Sequence, residues 1–118
     1  MSRAHNILVV DDERNVRATL KSVLEDEGYG VRTVSSGEEA IKATKRFHPD
    51  LVLLDIWLPG IDGLKVLEKL GDTDNNPVVV MISGHGSVES AVRSTKLGAF
   101  DFIEKPLSLD RVLLVVAN

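Results

Sequence analysis

Five short apolar runs alternate with amphipathic stretches along the chain, and this alternation restricts the possible folds more than any other feature. The runs are rich in valine, isoleucine and leucine, and several contain no polar residue, as is typical of strands buried on both faces of a parallel sheet. They cover residues 7–10, 31–34, 51–55, 78–83 and 100–103. The pattern predicts five parallel strands.

The stretches between and after these runs carry apolar residues at helical spacing. The second begins with Ser36 and has Glu39 three positions later, which together predict a capping box. The first ends at Gly28, a common helix stop. The predicted helices lie within residues 15–28, 36–47, 62–71, 87–98 and 109–118. Strand followed by helix, five times over, predicts an α/β domain with a doubly wound five-stranded parallel sheet and helices on both faces.

Composition excludes several kinds of function. The 118 residues fit one domain, and a formal net charge of −4 argues against a protein that binds the nucleic-acid backbone. The absence of cysteine excludes disulfides and thiolate chemistry. No apolar run approaches the roughly 20 residues of a membrane span, so we expect a cytoplasmic protein without membrane contact. The final helical pattern stops without a glycine cap, which predicts a longer natural protein.

Polar side chains of chemical use stand at four of the five predicted strand ends. Asp11 and Asp12 follow the first strand, Asp55 ends the third, Ser83 ends the fourth, and Lys105 comes just after the fifth. Function in doubly wound sheets collects at the carboxyl ends of the strands, so we expect these groups to converge.

The acids are the strongest of these signals. Asp12 alone is best interpreted as a helix N-cap. Asp55 could be a turn residue before Leu58, but the other acids favour a functional role for it. Two carboxylates about 4 Å apart, however, repel by about 4 kcal/mol at a surface-like dielectric. A helix N-terminus stabilises each negative charge by only about 0.3–1 kcal/mol, which does not offset that repulsion. Carboxylate oxygens without cysteine or clustered histidine suit Mg²⁺, so the cluster predicts a magnesium site.

His85 is interpreted as a solvent-facing loop residue.

The acid pair, the central aspartate, the hydroxyl and the lysine together favour phosphoryl chemistry, with a carboxylate as nucleophile. The sequence here resembles the receiver domain of two-component response regulators, of which CheY is the founding single-domain example. The matching pieces are "VVDDE", "LVLLDIWLPGIDG", "ISG" and "EKP", in the order and spacing of that family. The resemblance covers essentially the whole chain, residues 1–118, and implies the strand order 2-1-3-4-5.

The resemblance also assigns roles to single residues. It implies that Asp55 accepts a phosphoryl group from the phosphohistidine of a sensor histidine kinase, assisted by Ser83 and Lys105. It implies a Mg²⁺ site, with Mn²⁺ as a substitute. The metal ligands are Asp11, Asp12, Asp55 and the main-chain carbonyl of Trp57. It implies a conformational switch carried by Ser83 and Phe102. Phe102 stands at the position of the switch aromatic, where the family often has tyrosine, so a hydrogen bond from that position is lost.

"DIWLPGIDG" and "SGHGSVESAV" are most similar to receivers of NtrC- and NtrX-type transcription regulators. This implies an output in transcription, DNA contact only through a domain absent from this chain, and a homodimer through the fourth helix, fifth strand and last helix. A receiver of this kind is phosphorylated itself and is not a turnover enzyme.

Three alternatives stay open from the sequence. One is a stand-alone CheY-like receiver. Another is a metal-dependent phosphatase with an aspartate nucleophile, but such enzymes usually carry a second aspartate two positions later, where this chain has Trp57. The last is a flavodoxin-like cofactor binder, whose phosphate would be repelled by the acids after the first strand.

Overall fold

A computed structural model describes residues 6–73, 76–84 and 88–117, with the side chain of Val88 excepted. Five parallel strands form one sheet in the order β2-β1-β3-β4-β5. The strands are β1 Asn6–Val10, β2 Gly30–Val34, β3 Leu51–Asp55, β4 Val78–Ser83 and β5 Asp101–Glu104. The predicted fold class and strand order are confirmed.

Five helices follow the strands and cover both faces of the sheet. They are α1 Arg14–Asp26, α2 Gly37–Phe47, α3 Gly63–Gly71, α4 Val88–Lys96 and α5 Leu109–Ala117. Alternate residues of β1 point to opposite faces: Ile7 and Val9 pack with α1 and α5, whereas Leu8 and Val10 pack with α2 and α3. The strands are therefore buried on both faces, as their continuous apolar runs predicted.

The second helix begins with the predicted N-cap, Ser36, although Glu39 reaches back to Ser35 rather than to the main-chain N–H of Ser36 as in a capping box. The N–H of Glu39 donates to the hydroxyl of Ser36 at 3.2 Å. The Glu39 carboxylate accepts from the N–H of Ser35 at 3.2 Å and from the Ser35 hydroxyl at 2.9 Å. The hydrogen bond from the Ser35 side chain is the main reason why the pKa of Glu39 lies below its ordinary value.

Several elements begin one residue away from their predicted starts, among them β1, β2, β5 and α1. The fifth strand begins at Asp101 rather than at residue 100, and the side chain of Phe100 is 58% exposed. The first helix begins at Arg14. The prediction for His85 lies outside the described residues. In the part of the chain that the structure describes, none of the helices has the length and apolarity needed to span a bilayer.

Candidate phosphoacceptor site

The carboxyl ends of β1, β3, β4 and β5 meet at one edge of the sheet, and the predicted polar residues lie there together. Asp11, Asp55 and Ser83 are buried, with exposed fractions of 0%, 3% and 0%. Because parallel strands end at the same edge, residues far apart in sequence converge at this one place. Lys105 joins them from the segment after β5, where its N–H donates to the carbonyl of Ser83 at 2.8 Å.

Asp11 is fixed by three hydrogen bonds. Its side-chain Oδ1 accepts from the N–H of Glu13 at 2.9 Å. Its carbonyl accepts from the guanidinium of Arg17 at 2.8 Å, and its N–H donates to the carbonyl of Val34 at 3.2 Å. The other carboxylate oxygen, Oδ2, is buried and has no hydrogen bond within the described part of the chain, although the ammonium of Lys105 lies 2.9 Å away as an ion pair. This oxygen retains the capacity to bind a cation.

Asp12 is exposed and does not cap the first helix. The N-cap of α1 is Glu13, whose side chain makes no capping hydrogen bond. The interpretation of Asp12 as an N-cap is therefore wrong, because the chain turns into the helix one residue later. Helix formation does not account for the acid at this position.

Asp55 ends the fully buried strand β3. Its Oδ1 accepts from the N–H of Trp57 at 3.0 Å, and its Oδ2 lies 3.3 Å from Nζ of Lys105. Burial raises the pKa of the Asp55 carboxyl, and the negative charge of Asp11 raises it further. The Trp57 hydrogen bond and the Lys105 charge oppose that rise without cancelling it.

Gly63 leaves room for Asp55. As the first residue of α3, it donates its N–H to the carbonyl of Ile56 at 2.8 Å. A Cβ atom added at Gly63 would collide with the main-chain carbonyl oxygen of Asp55. The helix therefore starts directly behind the aspartate, and only a residue without a side chain fits between them.

Lys105 offsets part of the negative charge of the site. Its Nζ lies 2.9 Å from Asp11, 3.0 Å from Glu13 and 3.3 Å from Asp55, and its side chain is only 14% exposed. Burial disfavours the ammonium charge, but the contacts with Asp11 and Glu13 and the nearby carboxylate charges outweigh that effect and raise the pKa of Lys105. The bond between Lys105 and Pro106 is cis.

Three acids of the site lie close enough together to hold a metal ion. Ligand oxygens of Asp11, Asp12 and Asp55 all lie within 4.8 Å of one another. Oxygen donors without nitrogen or sulfur suit a hard cation such as Mg²⁺, and Oδ2 of Asp11 is buried beside the Lys105 ammonium. The residues present therefore fit a divalent cation.

A cleft of about 210 Å³ opens at the carboxylates. Its lining includes Asp12, Glu13, Asp55, Trp57, Gly84 and Lys105. Trp57 lies at this cleft with a side chain that is 55% exposed, and its main-chain carbonyl stays a predicted ligand. The sequence analysis predicts no role for Glu13 in the site. Its position directly after Asp11 and Asp12 is the feature that could have indicated one.

The two predicted switch residues lie on neighbouring strands. Ser83 ends β4 and pairs in register with Glu104, whereas Phe102 pairs with Met81, two positions earlier. The ring of Phe102 is half-buried and packs against the core on the α2–α3 face. Their coupling in a switch stays a prediction.

A buried aspartate lies beside a lysine and two further acids at the carboxyl edge of a 2-1-3-4-5 sheet, as expected of an α/β domain of the receiver class. Comparison with known families places it further: residues 7–117 match the response regulator receiver domain, and the chain belongs to that family.

Relatives of known sequence and structure agree with this assignment. The chain is 45% identical over 114 residues to the nitrogen assimilation regulatory protein NtrX of Azorhizobium caulinodans, covering 95% of this chain and 25% of that protein. It is 34% identical to the C4-dicarboxylate transport transcriptional regulatory protein DctD of Rhizobium meliloti, covering 96% of this chain and 25% of that protein. The chain therefore spans about a quarter of the length of these relatives.

The beryllofluoride-activated NtrC4 receiver domain dimer, a solution structure, superposes with a TM-score of 0.89 at 39% identity. The match covers 95% of this chain and 93% of that one. Similarity at this level, over nearly the whole of both chains, extends the family assignment to the three-dimensional fold.

Proposed function

We propose that Asp55 accepts a phosphoryl group in a Mg²⁺-dependent reaction and that this modification switches the domain. The observation that carries the proposal is the position of Asp55: its carboxylate is buried, lies 3.3 Å from the Lys105 ammonium and shares a cluster with Asp11 and Asp12. Phosphoryl transfer needs positive charge around the phosphoryl oxygens and an aligned nucleophile. These residues supply the lysine, the nucleophile and the ligands for a cation.

Each residue has a separate part in the proposed reaction. An oxygen of the Asp55 carboxylate attacks phosphorus, a P–O bond forms, and the bond from phosphorus to the donor atom breaks, so that the electron pair leaves with the donor. Asp11, Asp12, Asp55 and the carbonyl of Trp57 would hold Mg²⁺, with Mn²⁺ as a substitute. A bound cation of this kind neutralises charge on the phosphoryl oxygens.

The lysine and the serine complete the site. Lys105 places a second positive charge against the phosphoryl oxygens, and the Ser83 hydroxyl, at the end of the neighbouring strand, donates a hydrogen bond to one of them. The product is an acyl phosphate on the domain itself, which makes the domain a phosphoacceptor rather than a turnover enzyme.

The donor in the proposal is the phosphohistidine of a sensor histidine kinase, and the location is the cytoplasm, as is usual for response regulators. The output is transcription, because a relative such as DctD is a transcriptional regulatory protein four times as long as this match. The chain would then be the N-terminal part of a longer regulator, which contacts DNA through a domain beyond these residues.

A homodimer through the face formed by α4, β5 and α5 is part of the same proposal. Val92 on α4, Phe100 before β5 and Leu114 on α5 are exposed by 46%, 58% and 64%. Large apolar side chains exposed on neighbouring elements favour an interface. The related NtrC4 receiver forms a dimer when activated with beryllofluoride.

The phosphoacceptor is tested by intact mass spectrometry after incubation with Mg²⁺ and acetyl phosphate. We expect the parent protein to gain one phosphoryl group, and Asp55→Asn, which removes the nucleophile at nearly constant shape, to gain none. A phosphoryl group on Asp55→Asn would show that another residue is the acceptor. Continuous release of phosphate without a stable modified protein would favour the phosphatase alternative.

A further inference from the structure

Glu13 contacts the lysine of the site although it lies outside the metal-binding cluster. Its side chain is 61% exposed, and Oε1 lies 3.0 Å from Nζ of Lys105. The cluster of carboxylates that can hold a metal consists of Asp11, Asp12 and Asp55. A bound cation would draw on Asp11 and Asp55, which are the other two partners of Lys105 among the described residues. The ion pair between Glu13 and Lys105 would then remain.

The side chain of Glu13 is directed to this contact rather than to the helix. Glu13 is the N-cap of α1, where an acceptor side chain usually binds a free N–H of the first turn. Here it makes no such bond, whereas its own N–H donates to Oδ1 of Asp11. The backbone of Glu13 is thus anchored to the acidic site while its carboxylate reaches Lys105.

We propose that Glu13 is a positioning residue that holds Lys105 in the unphosphorylated domain and thereby slows phosphoryl transfer to Asp55. The inference rests on the proposed function of Asp55. For Lys105 to neutralise an arriving phosphoryl group, its ammonium must exchange a carboxylate partner for a phosphoryl oxygen. Asp11 and Asp55 are drawn to the cation, so Glu13 is the partner that competes with the phosphoryl group.

The size of the effect follows from the exposure of Glu13. An ion pair with one exposed partner contributes little, so its loss changes a rate by at most about five-fold. The negative charge of Glu13 at the rim of the cleft also repels an anionic donor. A test must therefore separate the contact with Lys105 from simple removal of one negative charge.

Glu38 provides the matched control. It is exposed in the first turn of α2, on the same edge of the sheet, and its carboxylate lies beside Gly60 in the β3–α3 loop. No ion pair joins it to Lys105 in the described part of the chain. Glu38→Gln removes the same charge as Glu13→Gln without touching the lysine.

The experiment measures the initial rate of phosphorylation by acetyl phosphate at saturating Mg²⁺. We expect Glu13→Gln to react about two- to five-fold faster than the parent, and Glu38→Gln to react at nearly the parental rate. Equal acceleration of the two variants, or no acceleration of Glu13→Gln, would overturn the inference while leaving Asp55 as the acceptor. A parent protein that is not phosphorylated at all would overturn the proposed function and the inference with it.

A second readout follows the lysine directly. The ammonium protons of Lys105, observed by NMR in the metal-free protein, should exchange with water faster in Glu13→Gln than in the parent or in Glu38→Gln. Unchanged exchange in Glu13→Gln would show that the carboxylate does not restrain Lys105, and would overturn the inference even if the rate had risen.

Discussion

At the scale of single residues, the site has more negative charge from its carboxylates than the single positive charge of Lys105 can neutralise. Asp11, Glu13 and Asp55 all lie within 3.3 Å of the Lys105 ammonium, and Asp12 adds a further carboxylate. At about 4 Å, two such charges repel by about 4 kcal/mol at an effective dielectric of 20. The cluster is thus destabilising in the free domain and becomes favourable when a cation binds.

Asp12→Asn should weaken Mg²⁺ binding at least about tenfold, because it removes a charged ligand, and loss of even an outer hydrogen-bond partner costs 10–100-fold. The same substitution should raise the stability of the metal-free protein by relieving repulsion. Titration calorimetry measures the affinity, and Asp26→Asn, an exposed acid at the far end of α1, is the control. An unchanged affinity in Asp12→Asn would contradict the metal site.

The raised pKa of Asp55 predicts how the stability of the metal-free protein depends on pH. A carboxyl whose pKa is higher in the folded than in the unfolded chain contributes stability that is full below the unfolded pKa and is lost as pH rises through the folded pKa. For Asp55 the loss begins near the ordinary value of 3.8 and ends above its folded pKa. Asp55→Asn, which is neutral throughout, should therefore be more stable than the parent at neutral pH.

Urea unfolding with a chelator, at a series of pH values, measures this difference. Saturating Mg²⁺ should reverse the order, because a ligand at 100 times its Kd stabilises the folded parent by about 2.7 kcal/mol. Parallel pH profiles for the two proteins would contradict the raised pKa.

At the scale of helices and strands, most of the architecture could be predicted, because each local pattern agrees with the global fold. The apolar run of β3 matches the structure residue by residue, and Ser36 caps α2 as predicted. The start of β5 could not be predicted to the residue. Phe100 is apolar, but its ring is exposed, and only the pairing with β4 shows that the strand begins after it.

The site could be predicted as a set of residues but not as a set of contacts. The strand ends revealed Asp11, Asp55 and Lys105, since parallel strands end at one edge. The contact of Glu13 with Lys105 depends on where α1 begins, which is one residue later than an N-cap at Asp12 would place it. Sequence spacing does not determine that detail, because caps are decided by local backbone geometry.

Ser83→Ala should uncouple phosphorylation from the change on the α4–β5–α5 face. The hydroxyl at the end of β4 is the group that can bind the phosphoryl oxygen, and β5, which carries Phe102, is the strand paired with it. NMR shifts with and without beryllofluoride measure the response. We expect the parent to show shifts around Phe102 and α4 that Ser83→Ala largely lacks. Identical shifts in the two proteins would show that this coupling does not exist.

At the scale of the whole molecule, three of the five large apolar side chains that are exposed among the described residues belong to α4, α5 and the residue before β5. Leu114 is 64% exposed on α5, and Phe100 and Val92 lie on the adjoining elements. The residues named as lining the carboxylate cleft lie outside α4, β5 and α5. We therefore expect association through this face to leave the site open to a phosphodonor.

Leu114→Glu should weaken homodimerisation at least about tenfold, because a charge buried at the centre of an interface costs more than the roughly 1.4 kcal/mol that corresponds to that factor. Analytical ultracentrifugation, with and without beryllofluoride, measures the association. Val78→Glu, which replaces an exposed valine on β4 rather than on α4, β5 or α5, serves as the control. Equal association of Leu114→Glu and the parent would place the interface elsewhere.

The absence of a side chain at Gly63 has a consequence for the direction in which a signal can travel. The first turn of α3 packs directly against the carbonyl of Asp55. We therefore expect little movement on this side of the aspartate when a phosphoryl group is added. A displacement caused by the phosphoryl group is therefore expected on the side of Asp55 opposite α3. We expect the conformational change to extend from Asp55 across β4 and β5. The surface that a partner recognises after phosphorylation would then lie on the side of the domain away from α3.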